Sequence, residues 1–409
     1  MTSLADTVLP LVRTRADLSR WGAANEHGRQ MHEAIDVLEA SLPTANPAEV
    51  YAVVQAALAS AVKVIARADD SSGIIGDACR RLLTLHPTVA SSAGVAPSKL
   101  VDWMMKFQFD GDVDYFEIDP VAYAPALGDV GMNAYRKRLD AVRATLVPEA
   151  PESDRWSVPD RHERWVLDWN DRRLAVLDRD IDAIIRTHAR DRKVAAWLQD
   201  TAQAFEEIGE IDLAIDWAYQ AADHGPGHQA LKAAEYWCDL LARHRPAEQL
   251  AARHKVFRRW PSATTATRMH RAAGTSWHDY HDAVLATLAA RPPESVLFCL
   301  GALKDPQLAW KQAHALSLDD DRVWAELANA YEPVDPLAVL SVHRRLVEHE
   351  LVNADAHHYR LGARRLAKMR TLAAGTDHLA EVDAFITGLR EIHRRRPRLQ
   401  QEFDRARLP

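Results

Sequence analysis

Apolar residues return every three or four positions in segment after segment of this chain, as in Val176, Leu177, Ile181, Ile184 and Ile185. That spacing lines one face of a helix, whereas a half-buried strand needs strict alternation. The segments also carry start signals. Asn46-Pro47-Ala48-Glu49 supplies an N-cap residue, a proline at the first helical position and a glutamate placed to close a capping box. Asp305-Pro306 and Asp335-Pro336 repeat the cap-then-proline signal, and Arg245-Pro246-Ala247-Glu248 is a looser version. Only 16 glycines occur in 409 residues, few for the turns of a sheet protein. Ser295–Leu300 is a short β candidate, but its neighbours keep the helical period. The expected fold class is all-α.

The clearest pattern is WLQDTAQAFEEIGEIDLAIDWAYQAADHGP, from Trp197 to Pro226. Ala202, Phe205, Ala214, Ala218, Ala221 and Pro226 fall at the spacings of a tetratricopeptide repeat, with Gly209 at the turn. Small residues let two helices approach closely, and the aromatic fills the gap between them. A position that often holds a large aromatic is Ala218, with Trp217 beside it. Pro261 lies one repeat length beyond Pro226, and weaker units are read at Arg268–Leu288 and Leu308–Leu327. The architecture expected is an α-solenoid of degenerate tetratricopeptide-like helix pairs, each burying its apolar face on its neighbours.

Several prolines and mixed charge mark residues 147–161 as a linker or surface excursion. The expected organisation is an N-terminal helical domain over 1–146, that linker, and a repeat array with a basic C-terminal segment over 162–409. Residues 162–190 read as one long leading helix, rich in Asp and Arg pairs. The tryptophans Trp197, Trp217, Trp237 and Trp260 fall near the boundaries of helix pairs, where their rings are expected to fill the core.

Formal net charge is −7, so the whole chain is no obvious nucleic-acid binder. From Ala356 onward, however, 12 Lys/Arg face 6 Asp/Glu, a surplus of 6 that leaves −13 on the residues before it. Arg360, Arg364, Arg365, Lys368 and Arg370 recur at helical spacing, and Arg394, Arg395, Arg396 and Arg398 form a denser run. A solvated helix face is one reading and a contact for phosphates or an acidic partner is the other. The binding candidates are Arg364, Arg365, Lys368, Arg394, Arg395, Arg396 and Arg398. With only Tyr359, Phe385 and Phe403 nearby to stack on bases, sequence-specific nucleic-acid reading is not expected.

Three widely separated cysteines, Cys79, Cys238 and Cys299, imply no disulfide framework and point to the cytoplasm. The charged N-terminus does not read as a secretory signal. The apolar stretch Val50–Ala66 is interrupted by Gln55 and Lys63 and reads as a buried helix, so no membrane partner is expected. Neither His-Glu-x-x-His nor Glu-x-x-His occurs, nor does a phosphate-binding glycine loop or a Gly-x-Ser-x-Gly elbow. His278, Asp279, His281 and Asp282 offer metal-ligand chemistry, as does His357-His358, but both read as surface helix starts. Asp319-Asp320-Asp321 lacks the spaced ligands of a calcium loop and is expected to favour the start of the helix carrying Trp324. The expectation is no enzyme, no metal and no cofactor.

The stretches SSGIIGDACRRLLTLH (Ser71–His86) and DPVAYAPALGDVGMNAYRKRL (Asp119–Leu139) resemble the helical region of bacterial SWIM zinc-finger family proteins. YRLGARRLAKMRTLA and LREIHRRRPRLQQEFDRA near the C-terminus are similar to the same region. In that family a SWIM-type zinc finger precedes a long helical array, and related arrays stand alone. The finger needs Cys-x-Cys and then Cys-x-His, which no pair of cysteines here provides. The resemblance therefore implies the array alone. Together these readings lead to a scaffold or adaptor that binds a protein partner along a face within about 197–345. The alternative is a nucleic-acid-associated protein touching phosphates through the C-terminal arginines.

Overall fold

The computed structural model describes residues 3–111, 113–147 and 160–409. Two of the four expected helix starts, at Asn46 and Asp305, are capped by the chemistry that signalled them, and Arg245 precedes Pro246 without a side-chain cap. Asn46 Oδ1 accepts from the Ala48 N–H at 2.9 Å and Asp305 from Leu308 at 2.8 Å, each ahead of a proline; Asp119, not among the expected starts, caps in the same way by accepting from Val121 at 3.0 Å. Asp335 differs: its carboxylate accepts from Leu337 and Ala338 and closes a turn, and the helix begins only at Val339.

The first ten helices are α1 (Leu4–Val12), α2 (Trp21–Ser41), α3 (Pro47–Ile65), α4 (Ile74–Ser92), α5 (Pro97–Phe109), α6 (Pro120–Thr145), α7 (Arg161–Leu177), α8 (Ile181–Ile184), α9 (Ala195–Glu207) and α10 (Ile211–Asp223). There follow α11 (His228–His244), α12 (Pro246–Arg259), α13 (Ala263–Ala273), α14 (His281–Leu288), α15 (Pro292–Phe298), α16 (Pro306–Ala315), α17 (Asp321–Tyr331), α18 (Val339–Glu350), α19 (Ala356–Ala373), α20 (His378–Ile392) and α21 (Pro397–Arg405). No strand occurs among the described residues, and Ser295–Leu300 lies in α15 and the π-helical turn Cys299–Leu303 that continues it. The chain is all-α.

Two compact units are formed, Met1–Trp217 and Ala218–Pro409, with the division inside α10. In the first, Val8, Met31, Ile35, Leu58, Ile75 and Leu82 build a core from α1 to α4. α3 is long and apolar enough to cross a membrane by length and composition, and 50% of its apolar window is buried in this core. A second core joins α5, α6 and α7 through Leu100, Met104, Tyr135, Leu139 and Leu167. The expected linker at 147–161 lies, from 148 to 159, outside the described residues. The helices on either side of it, α6 and α7, share this core.

A closed polar ring is embedded in the α5–α7 core. Gln108 Nε2 donates to the Tyr135 hydroxyl at 2.8 Å, which donates to Asn170 Oδ1 at 2.7 Å, while Asn170 Nδ2 returns to Gln108 Oε1 at 2.9 Å. Buried polar groups are tolerated when every member is satisfied, and such a ring then fixes one packing arrangement. Tyr135→Phe strands the Asn170 carbonyl, so a loss of about 1–3 kcal/mol is expected. A urea-unfolding double-mutant cycle with Asn170→Ala checks it, because the two losses should be far from additive.

The single helix expected over 162–190 is broken. α7 ends at Leu177, Arg179 takes the left-handed conformation at φ 55°, and Asp180 starts α8 by accepting from the Ala183 N–H at 2.9 Å. A π-helical turn, Ile185–Ala189, completes the segment. The tetratricopeptide pattern falls on α9 and α10: Ala202, Phe205, Ala214, Ala218 and Ala221 are all fully buried, and Gly209 makes the turn at φ 80°. Only glycine enters that conformation without a steric cost. The unit expected at Arg268–Leu288 is interrupted by a 3₁₀ segment, Gly274–Asp279, whereas Leu308–Leu327 does fall on a helix pair, α16 and α17.

Within Ala218–Pro409 the helices pack largely in chain order. α11 lies on α12, α12 on α13, α13 on α15, and from α15 to α19 each lies on the next; α19 then receives both α20 and α21. Of the four expected core tryptophans, Trp217 is buried and Trp197, Trp237 and Trp260 are half-buried.

Candidate functional site

The basic residues of α19 and of the α20–α21 connection are divided by their partners. Arg365 Nε donates to Glu350 at 2.9 Å, and Lys368 Nζ donates to Asn329 at 2.9 Å and pairs with Glu332. Arg396 Nη1 donates to the Leu351 carbonyl at 2.7 Å, and Arg394 pairs with Glu391 at 2.8 Å. Four of the seven candidates are thus engaged inside their own unit. Arg364, Arg395 and Arg398 are exposed and, among the described residues, have no ion pair or hydrogen bond.

Beneath this face lies His343 of α18, fully buried, with neither ring nitrogen hydrogen-bonded. Burial, with Arg365 and Lys368 close by, pushes its pKa down to about 4, against the pull of Glu332. The imidazole is therefore neutral at ordinary pH.

The other sequence candidates are local surface features. His278 pairs with Asp279 and His281 with Asp282, each its own neighbour. Asp355 Oδ1 accepts from the backbone of His357 and His358, and its Oδ2 meets the His358 ring. Asp320 caps α17 by accepting from Val323 at 2.9 Å. Among the described residues no group of three or more His, Cys, Asp or Glu is placed to hold a metal ion.

A cavity that no sequence motif announced opens in the first unit. α4 contributes Arg80 and Thr84 at helical spacing, while the segment before α6 contributes Tyr115 and Glu117. Asp119, which caps α6, is clasped by Arg173 through two bonds of 2.9 Å; the same guanidinium holds Glu207 through two of 2.7 Å. Trp169 of α7 is fixed by its indole N–H donating to the Ile118 carbonyl at 2.7 Å. These elements enclose about 350 Å³.

Behind the cavity wall stands a buried relay. The Tyr123 hydroxyl is 2.9 Å from His86 Nδ1, and His86 Nε2 is 2.5 Å from Gln55 Oε1. Because the amide oxygen only accepts, Nε2 carries the proton and Tyr123 donates to Nδ1. Trp103 stacks on the imidazole at 4.2 Å. Burial lowers the His86 pKa to about 4 and raises that of Tyr123 far above the usual phenol range, so both are neutral. A larger cavity of about 430 Å³ beside α6 and α7 is lined by charges, with Arg136 paired to Asp178 and Arg143 to Asp171.

Among the described residues the chain is all-helical, with a small aromatic-walled cavity in its first unit and three exposed arginines without an ion pair in its second. The chain belongs to the family of unknown function DUF6880, whose sequence model matches residues 9–399. Comparison with curated proteins gives no match.

Proposed function

We propose that the protein is a non-enzymatic, cytoplasmic scaffold or adaptor that binds a protein partner through a helical-repeat surface within about 197–345. The observation that carries this reading is the chain-order packing of α11 to α19. Helices that rest mainly on their sequence neighbours form a quasi-one-dimensional stack, and such stacks present long surfaces to partners. The burial of the small residues of α9 and α10 is what a tetratricopeptide-like pattern requires of that segment. The three free, buried thiols suit a reducing compartment.

Affinity purification from the native host, with and without nuclease, tests it. A stoichiometric protein should survive both nuclease and high salt. A second reading rests on Arg364, Arg395 and Arg398, exposed and unpaired among the described residues, as contacts for nucleic-acid phosphates. It requires binding to a mixed duplex at low salt, lost with a log–log slope of about −3 as salt rises. Absence of binding at low salt removes it.

A further inference from the structure

The cavity beside Tyr123 is large enough for a small molecule. Its lining includes the rings of Tyr115, Phe116, Tyr123 and Trp169, and its charged groups are Arg80, Glu117 and Asp119. Two of those charges are already engaged. Arg80 pairs with Asp77 at 2.7 Å, and Asp119 is committed to Arg173 and to the α6 backbone. Glu117 alone has no hydrogen bond or ion pair among the described residues. Partial burial pushes its carboxyl pKa up, against the pull of Arg172.

An unpaired carboxylate beside several ring faces is the chemistry that recognises an organic ammonium. The charge gains an ion pair at the carboxylate and a cation–π contact at the rings. Trp169 already attracts cations, with Arg172 and Arg173 guanidinium carbons 5.4 and 6.0 Å from its ring centre. An anion is disfavoured, because the unpaired Glu117 repels it and Arg80 and Arg173 are already paired. We propose that this cavity binds a small primary amine with an aromatic or apolar body, its ammonium on Glu117 and its body against Tyr115, Phe116 and Trp169. All of its lining residues lie between Arg80 and Trp169, outside 197–345.

Calorimetric titration of the full chain with phenethylamine, and with phenylacetate as the same shape of opposite charge, tests this without any variant. Phenethylamine should bind and phenylacetate should not. Glu117→Gln keeps the side-chain size at an exposed position and should weaken the amine by about tenfold or more. Asp114→Asn, an exposed neighbour outside the cavity, should leave it unchanged. No amine binding to the parent chain, equal or tighter phenylacetate binding, an unaffected Glu117→Gln, or an equal loss in Asp114→Asn would each overturn the assignment.

Discussion

Replacing Arg253 with Met is expected to destabilise the Ala218–Pro409 unit by about 3–5 kcal/mol. Its guanidinium lies on α12 and pairs with both Glu235 and Asp239 of α11, while Glu235 also pairs with Arg268 of α13. The Arg253–Glu235–Arg268 network thereby ties three successive helices. The Arg253 side chain is 7% exposed and that of Glu235 15%, so removing the arginine leaves a carboxylate withdrawn from water beside a single cation. Asp239 is 58% exposed and Arg268 42%, and both rehydrate readily. The double variant Arg253→Met with Glu235→Leu should therefore recover most of the loss, since an apolar pair can replace a buried ion pair at little cost. Guanidinium denaturation of the two variants and the parent measures both effects. A double variant no more stable than Arg253→Met alone would contradict the assignment.

Acid should destabilise the protein through three buried histidines, His86, His188 and His343. Burial is the leading cause in each, and each pKa lies at about 4 in the folded chain against an ordinary 6.5. Above the ordinary value the imidazoles are neutral whether folded or not, and their contribution is complete. As pH falls from 6.5 toward 4 the unfolded chain takes up protons that the folded chain refuses, so stability drops. The full loss is about 3 kcal/mol per histidine once pH passes below the folded value. His343 isolates the effect because it has no hydrogen bond to lose. Its charged surroundings are Arg365 and Lys368 from α19 and Glu332 after α17, a set that adds to the cost of a third positive charge. His343→Leu should flatten the pH dependence, regaining about 2 kcal/mol at pH near 5 relative to neutral pH. An identical pH dependence in variant and parent would contradict it. His86→Leu should instead weaken the protein at every pH, because Gln55 and Tyr123 lose their partner.

Much of the helical frame was legible because its signals are local. A cap oxygen and a following proline act within one turn, so Asn46-Pro47 and Asp305-Pro306 start helices wherever the rest of the chain lies. The burial of the small residues around Gly209 was legible too, since helical spacing sets them on one face with Phe205. The break at Arg179 was not, because continuous apolar periodicity outweighed the cap that Asp180 offers. Nor could a run of arginines reveal which members are free. Glu350, Glu332 and the Leu351 carbonyl, which engage Arg365, Lys368 and Arg396, come from other helices and only the tertiary fold brings them near. The aromatic cavity was hidden more deeply still. Its walls come from residues near 80, 117 and 169, each an unremarkable member of its own segment.

Partner binding along the helical stack is best tested by hydrogen exchange on the purified native complex against the chain alone. Added protection confined to about residues 197–345, in a complex that survives nuclease and high salt, is the expected result. Protection confined to α19–α21, in material released by nuclease or salt, would contradict the scaffold reading and place the interaction on the free arginines.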